Sequence, residues 1–205
     1  MTTIIDASKN GGKPVAHSES HGEHEDYRLL GLLIFLASES LMFGGLFASY
    51  LIYRASTTTW PPEGTEVELL LPAINTIILI SSSFVIHQGD SAIKKNNVGG
   101  MRFWYVATAL MGIIFLGGQV YEYLNLGYGL STNVFSGCFY VMTGFHGLHV
   151  LVGVLLILGV VWRSRRDGHY NESKHTGVEM AEIYWHFVDI IWIVLFALLY
   201  ILTHL

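Results

Sequence analysis

The sequence predicts an all-α integral membrane protein, built as a bundle of five transmembrane helices. Only 13% of the 205 residues are charged and 52% are hydrophobic, with a mean hydropathy of +0.46, whereas about 25% of the residues in an ordinary soluble domain are charged. A helix needs about 20 mainly apolar residues to cross a bilayer, and five windows of the sequence meet this requirement. The windows are residues 29–53, 69–87, 103–123, 136–162 and 181–204.

Helix-breaking residues separate these windows in chain order. Pro61 and Pro62 follow the first window, where proline ends a helix because it lacks an amide hydrogen. Gly99 and Gly100 predict a break before the third window. Longer polar segments precede the fourth and fifth windows, so each window is expected to form a separate helix.

Residues 1–27 predict a polar, disordered tail, because they are rich in Ser, Gly, His and Glu. They lack the basic and apolar regions of a secretory signal. We therefore expect one membrane domain, residues 28–205, which inserts through its own first helix. In the tail, His17, His21 and His24 follow helical spacing among acidic residues. Metal binding and proton collection stay open for them, although solvated disorder is favoured.

The basic residues predict the orientation of the bundle. Every Lys and Arg except Arg54 lies before the first window, between the second and third, or between the fourth and fifth. The positive-inside rule then places the N-terminus in the cytoplasm and the C-terminus outside. The net charge of -5 gives no indication of nucleic-acid binding, and the single Cys138 excludes an internal disulfide.

Seven ionisable residues inside the windows are the candidate functional residues. A charged group near the bilayer centre costs at least about 2.5 to 3.5 kcal/mol, so we expect each side chain to meet a partner inside the bundle. No nucleophile with its base, CxxC pair or nucleotide fingerprint accompanies them, so we expect no catalytic centre in this chain. The candidates are Glu39, Glu122, His146, His149, Glu182, His186 and Asp189.

Glu39 lies near the middle of the first window. A carboxyl group there serves either a proton or lipid-headgroup interaction or a hydrogen bond between helices. The residues alone leave both functions open and favour the structural one. Glu122 lies near the outer end of the third window, within reach of interfacial water.

His146 and His149 are three residues apart, so they are predicted to share one helical face. A heme or copper site, proton handling and structural hydrogen bonding are the alternatives, and two imidazoles supply only part of a metal's ligands. Structural hydrogen bonding is therefore favoured, and no metal site is predicted. His186 has Glu182 and Asp189 as ready partners on its own helix.

The second window contains the residues Asn75, Thr76 and Ser81 to Ser83, which are typical of hydrogen-bonding positions between membrane helices.

Five sequence blocks, in this order, closely resemble subunit III of the heme-copper terminal oxidases. The resemblance extends from about Arg28 to the end of the chain. The blocks are ASESLMFGGLF (residues 37–47), LLLPAINTIIL (69–79), QVYEY (119–123), TGFHGLHVLVG (143–153) and YWHFVDIIW (184–192).

The resemblance implies an accessory subunit of a bacterial cytochrome c oxidase, in the inner membrane or another energy-transducing membrane of the cell. Such a complex reduces oxygen to water and moves protons outward, and its heme and copper lie in partner subunits. The implied partners are subunit I by direct packing, subunit II, a small subunit IV and phospholipids, with cytochrome c as donor to the complex. The family also implies that this subunit sustains proton uptake and stabilises subunit I.

The resemblance further implies that Glu39 corresponds to the carbodiimide-reactive membrane carboxylate of the family. We expect it to meet His146 or His149 between the first and fourth helices and to organise lipid beside subunit I. Many mitochondrial relatives have seven helices. With five, the lipid-filled cleft of those relatives is expected only if another subunit fills the place of the two missing helices.

Three alternatives stay open at this point. A quinol oxidase has a similar five-helix subunit, and a paralogue associated with nitric oxide reductase shares the fold. The rival from another class is a stand-alone transporter of a small molecule or protons, built around the intramembrane acids and histidines.

Overall fold

The computed structural model describes residues 21–65, 67–166, 170–171 and 175–204, with side chains from residue 27 onward. In these residues it has five helices that are long and apolar enough to cross a membrane, which confirms the predicted fold class. They are α1 (His21–Ala55), α2 (Leu70–Lys94), α3 (Val98–Asn125), α4 (Val134–Arg163) and α5 (Thr176–Phe196), and a π-helical turn, Ala197–Ile201, continues α5.

All five helices extend beyond their predicted windows at one end of the bundle, α4 by a single residue. We name this end, where α1, α3 and α5 begin and α2 and α4 end, the basic end. There α1 begins at residue 21, so residues 21–27 of the predicted disordered tail are helical. The rest of that tail and the side chains of its three histidines lie outside the described residues. Similarly, α5 begins at Thr176, five residues before its window.

The break between α2 and α3 differs from the predicted one. α2 continues to Lys94, whose Nζ atom lies 2.7 Å from Asp90 Oδ2 one turn earlier. α3 already begins at Val98, so the two glycines expected to interrupt the chain lie in its first turn. There Gly100 N donates a hydrogen bond of 2.8 Å to the side chain of Asn97, which caps the helix. The predicted windows follow the apolar content of the sequence alone. A polar turn remains helical where ion pairs join its charged side chains and capping side chains bond its free backbone groups.

Helices α2 to α5 form the core of the bundle, and α1 packs at its side. Neighbouring helices contact each other in the order α2, α3, α4 and α5, and α5 closes the group against α2. α1 contacts α4 and α5, and only 11% of its most apolar stretch is buried, against 50% in α5. One side of α1 is therefore left exposed along most of its length.

Two tryptophans of α5 occupy the centre of the core. Trp185 lies against Gly112 and Gly153, where an added Cβ would approach its ring to 2.6 and 2.8 Å. Its Nε1 donates to Ser82 Oγ at 2.8 Å, and Nε1 of Trp192 donates to Thr76 Oγ1 at 2.9 Å. These bonds join α2 to α5 and confirm the predicted interhelical role of Thr76 and Ser82. Small residues allow the close approach of membrane helices.

Candidate functional site

Glu39 and His149 form a hydrogen-bonded pair between α1 and α4. Glu39 Oε2 lies 3.1 Å from His149 Nε2, and the two side chains are 20% and 11% exposed. Of the two histidines expected to meet Glu39, the structure therefore brings His149 to it. Phe43, also on α1, packs its ring edge-on against the imidazole, with 5.2 Å between ring centroids.

The hydrogen bonds of His149 restrict where protons lie in this pair. Its Nδ1 is 2.7 Å from the carbonyl oxygen of Phe145, which only accepts, so Nδ1 carries a hydrogen. In a neutral imidazole Nε2 is then an acceptor, and Glu39 must be the protonated donor. In the other state a charged imidazolium donates to a carboxylate. Either way the pair carries one shared proton and no net charge, which lowers the cost of holding it in a bilayer.

His146 lies in different surroundings from His149. It is fully buried, and its ring packs against Trp192 of α5 and Phe115 of α3, with centroids 4.8 and 5.7 Å away. Among the described residues neither ring nitrogen has a hydrogen-bond partner. The prediction that His146 makes a structural hydrogen bond is therefore wrong within the described residues. Positions three apart on a helix differ by about 60° around the axis, which is enough for the two rings to face different helices.

A row of polar side chains connects α2 and α5. His87 Nδ1 lies 2.9 Å from Glu182 Oε1, and His186 Nε2 lies 3.5 Å from the same oxygen. The other nitrogen of His186 is 3.0 Å from Ser83 Oγ, and that hydroxyl donates to the buried Asp189. A hydroxyl has one hydrogen, so Ser83 must accept its bond from His186 Nδ1.

The expected partners of His186 are therefore only partly correct. Glu182, on its own helix, is a distant partner at 3.5 Å, and Asp189 is reached through Ser83 of α2. Sequence reasoning missed His87 because it stands at the end of a predicted window. Ser83 and His87 are four residues apart, as are Glu182 and His186. This matched spacing was the available signal, because residues four apart lie on one face of a helix.

Glu122 is mostly buried near the opposite end of the bundle, and its contact with interfacial water stays a prediction. Its side chain accepts hydrogen bonds from Tyr200, at 2.9 and 3.1 Å, and from Gln119 Nε2 at 3.0 Å. Only 7% of the residue is exposed, although it lines a cavity of about 220 Å³ that also contains Glu68. The π-helical turn that continues α5 contains Tyr200, whose single hydroxyl hydrogen is shared between the two oxygens of Glu122.

Comparison with known proteins identifies the family. The family model for cytochrome c oxidase subunit III matches residues 14–204. The chain belongs to this family. The resemblance inferred from the five sequence blocks is thereby confirmed.

Named relatives match almost the whole chain. Cytochrome c oxidase subunit 3 of Thermostichus vulcanus is 73% identical over 192 residues, which cover 94% of this chain and 95% of the relative. The protein of the same name from Synechocystis sp. is 56% identical over 203 residues, 98% of this chain and 87% of the relative. A probable cytochrome c oxidase subunit 3 of Nocardia farcinica is 42% identical over 175 residues, 83% of this chain and 86% of the relative.

Proposed function

We propose that this chain is the accessory, non-redox subunit of a proton-pumping bacterial cytochrome c oxidase. The observation that carries the proposal is the 73% identity, over 94% of the chain, to a protein named cytochrome c oxidase subunit 3. In this proposal the complex reduces oxygen to water with electrons from cytochrome c. Heme and copper are held by partner subunits, and the chain lies in the bacterial inner membrane or another energy-transducing membrane, with its basic end in the cytoplasm.

The exposed side of α1 supports a partner in the membrane. Leu41, Ile34 and Ile52 of this helix are 79%, 63% and 65% exposed. An apolar helix surface in a bilayer contacts either acyl chains or another helix, and membrane helices associate by close packing rather than by the hydrophobic effect. We propose that subunit I packs directly against this subunit, that subunit II and a small subunit IV complete the complex, and that phospholipid fills the remaining space.

The Glu39–His149 pair supports a role in organising this boundary. It fixes the exposed α1 to α4, and Glu39 stays 20% exposed beside the apolar surface of α1. A pair without net charge tolerates lipid contact and still offers hydrogen-bonding atoms to a lipid headgroup. We propose that the pair keeps α1 and its lipid in place beside subunit I and thereby sustains proton uptake during turnover.

The direct test is gentle purification of the tagged chain, followed by optical spectroscopy and activity assays. The proposal predicts heme bands from co-purifying subunits and oxygen consumption with reduced cytochrome c. A heme-bearing complex that oxidises quinol but not cytochrome c would assign the chain to a quinol oxidase. A colourless preparation that transports solute or protons after reconstitution alone would refute the proposal in favour of the transporter.

A further inference from the structure

Two groups of potential metal ligands share Asp90 at the basic end of the bundle. Asp90, His175 and Glu179 each place one ligand atom within 4.8 Å of the others, and so do His87, Asp90 and Glu182. Asp90 lies near the end of α2, whereas His175 precedes α5 and Glu179 lies in its first turn. Mixed sets of imidazole nitrogen and carboxylate oxygen are typical ligands of Zn²⁺. The row that joins Glu182, His186 and Asp189 does not include Asp90, His175 or Glu179.

The group of Asp90, His175 and Glu179 contains two buried atoms without a hydrogen-bond partner among the described residues. Asp90 is 2% exposed, and Lys94 occupies its Oδ2 at 2.7 Å while Oδ1 has no partner. In His175 the buried Nδ1 has none either, and Nε2 lies 3.1 Å from Glu179 Oε1. Burying such atoms without a partner is costly. Because Glu179 faces Nε2 of the imidazole, a cation bound by Asp90 Oδ1, His175 Nε2 and Glu179 Oε1 would give the unpartnered carboxylate oxygen of Asp90 a partner, while Nδ1 keeps the ring hydrogen.

The competing group shares Asp90 but has a more exposed histidine. His87 Nδ1 lies 2.9 Å from Glu182, which also faces His186, and the His87 side chain is 63% exposed. By contrast the His175 side chain is 15% exposed. Among the described residues Lys94 pairs with Asp90 and not with Glu179, so a divalent cation would bring positive charge to the second carboxylate.

We propose that Asp90, His175 and Glu179 form a site for a divalent transition-metal ion of the Zn²⁺ class. The site has three protein ligands and one position open to water, and it does not depend on the proposed function. Zn²⁺ takes its ligands at about 2.0 to 2.2 Å, so the three groups must draw together slightly. The Glu179 side chain, 42% exposed, has the freedom to do so. A bound ion would fasten the start of α5 to the end of α2.

The test is Zn²⁺ binding by the purified complex that contains this chain. Other subunits and the tail histidines also attract Zn²⁺, so the wild-type complex is compared with Asp90→Asn and His175→Gln complexes after chelation and equilibrium dialysis against Zn²⁺. His87→Gln is the matched control from the other group. We expect the wild-type and His87→Gln complexes to retain one more Zn²⁺ ion per complex than the Asp90→Asn and His175→Gln complexes. Loss of a ligand should weaken that site at least tenfold, since even outer-shell changes cost about 10- to 100-fold.

Two further measurements separate loss of the site from loss of the fold. Difference density from cryo-electron microscopy of the Zn²⁺-loaded complex should lie between the three ligands and be missing in His175→Gln. In chelator, His175→Gln and the wild type should have equal melting temperatures. Equal Zn²⁺ retention by all complexes, no density at this position, or loss only in His87→Gln would overturn the proposal.

Discussion

Two substitutions of Glu39, to alanine and to glutamine, test the role of the Glu39–His149 pair. In Glu39→Ala the Nε2 atom of His149 loses its partner at 3.1 Å. In Glu39→Gln the amide group still donates to a neutral His149, because an amide carries two N–H donors. The alanine variant therefore loses the hydrogen bond, whereas the glutamine variant loses only the exchangeable proton and the potential charge.

The expected magnitude follows from the type of bond. Hydrogen bonds between membrane helices contribute on average about 0.6 kcal/mol and at most about 1.7 kcal/mol. Both side chains are mostly buried. Among the described residues Glu39 is the hydrogen-bond partner of His149 Nε2, so the alanine variant leaves that nitrogen without one. We therefore expect Glu39→Ala to weaken the attachment of α1 by about 1 kcal/mol, which corresponds to roughly fivefold more frequent opening.

Hydrogen exchange of α1 in the purified complex measures this opening, alongside phospholipid content and the lifetime of activity during turnover. We expect faster exchange, less retained lipid and a shorter lifetime in Glu39→Ala, with heme spectra unchanged. If the pair acts through its hydrogen bond, Glu39→Gln behaves like the wild type in all three. If its proton matters, Glu39→Gln keeps wild-type exchange but shortens the lifetime. Wild-type behaviour of Glu39→Ala in all three measurements would show that the Glu39–His149 pair does not hold α1 in place.

Two further predictions concern buried contacts of the core. Gly153→Ala should destabilise the subunit by about 1 to 3 kcal/mol through overpacking, because its new Cβ would meet the Trp185 ring at 2.8 Å. Gly159→Ala has open space around the new Cβ and should be neutral or slightly stabilising. Thermal release of the subunit from the complex measures both effects, and equal effects of the two variants would contradict the packing explanation. Tyr200→Phe removes both hydroxyl contacts to Glu122 and should cost about 0.6 to 1.7 kcal/mol. The same thermal release measures this cost, and unchanged stability would contradict the expected role of the hydroxyl.

The five helices were predictable because a bilayer imposes a length and a composition that single windows of sequence reveal. The ends of the helices were harder to predict. Residues 88–94 of α2 are too polar for the hydrocarbon core, yet they remain helical, with Lys94 paired to Asp90. Sequence hydropathy detects transfer into lipid, whereas backbone hydrogen bonding decides where a helix ends.

The candidate residues could be found in the sequence because ionisable groups are conspicuous in apolar windows. Most of their hydrogen-bond partners could not be found in this way. Ser83 links His186 to Asp189 from a helix 103 residues earlier in the chain, and nothing local to α5 indicates it. His146 and His149 face different neighbours because α4 lies between α1 on one side and α3 and α5 on another. Spacing along one helix predicts which residues share a turn, and only helix packing determines what each side chain meets.

We propose that this chain supports an oxidase whose redox centres lie in other subunits. The most direct test removes the chain from the purified complex with detergent and measures heme, copper and initial oxygen reduction in both fractions. We expect the depleted complex to keep all heme and copper and its initial rate of oxygen reduction, and then to lose activity faster during turnover. The released chain should contain neither heme nor copper. Heme or copper leaving with this chain, or an immediate loss of oxygen reduction, would contradict the proposal.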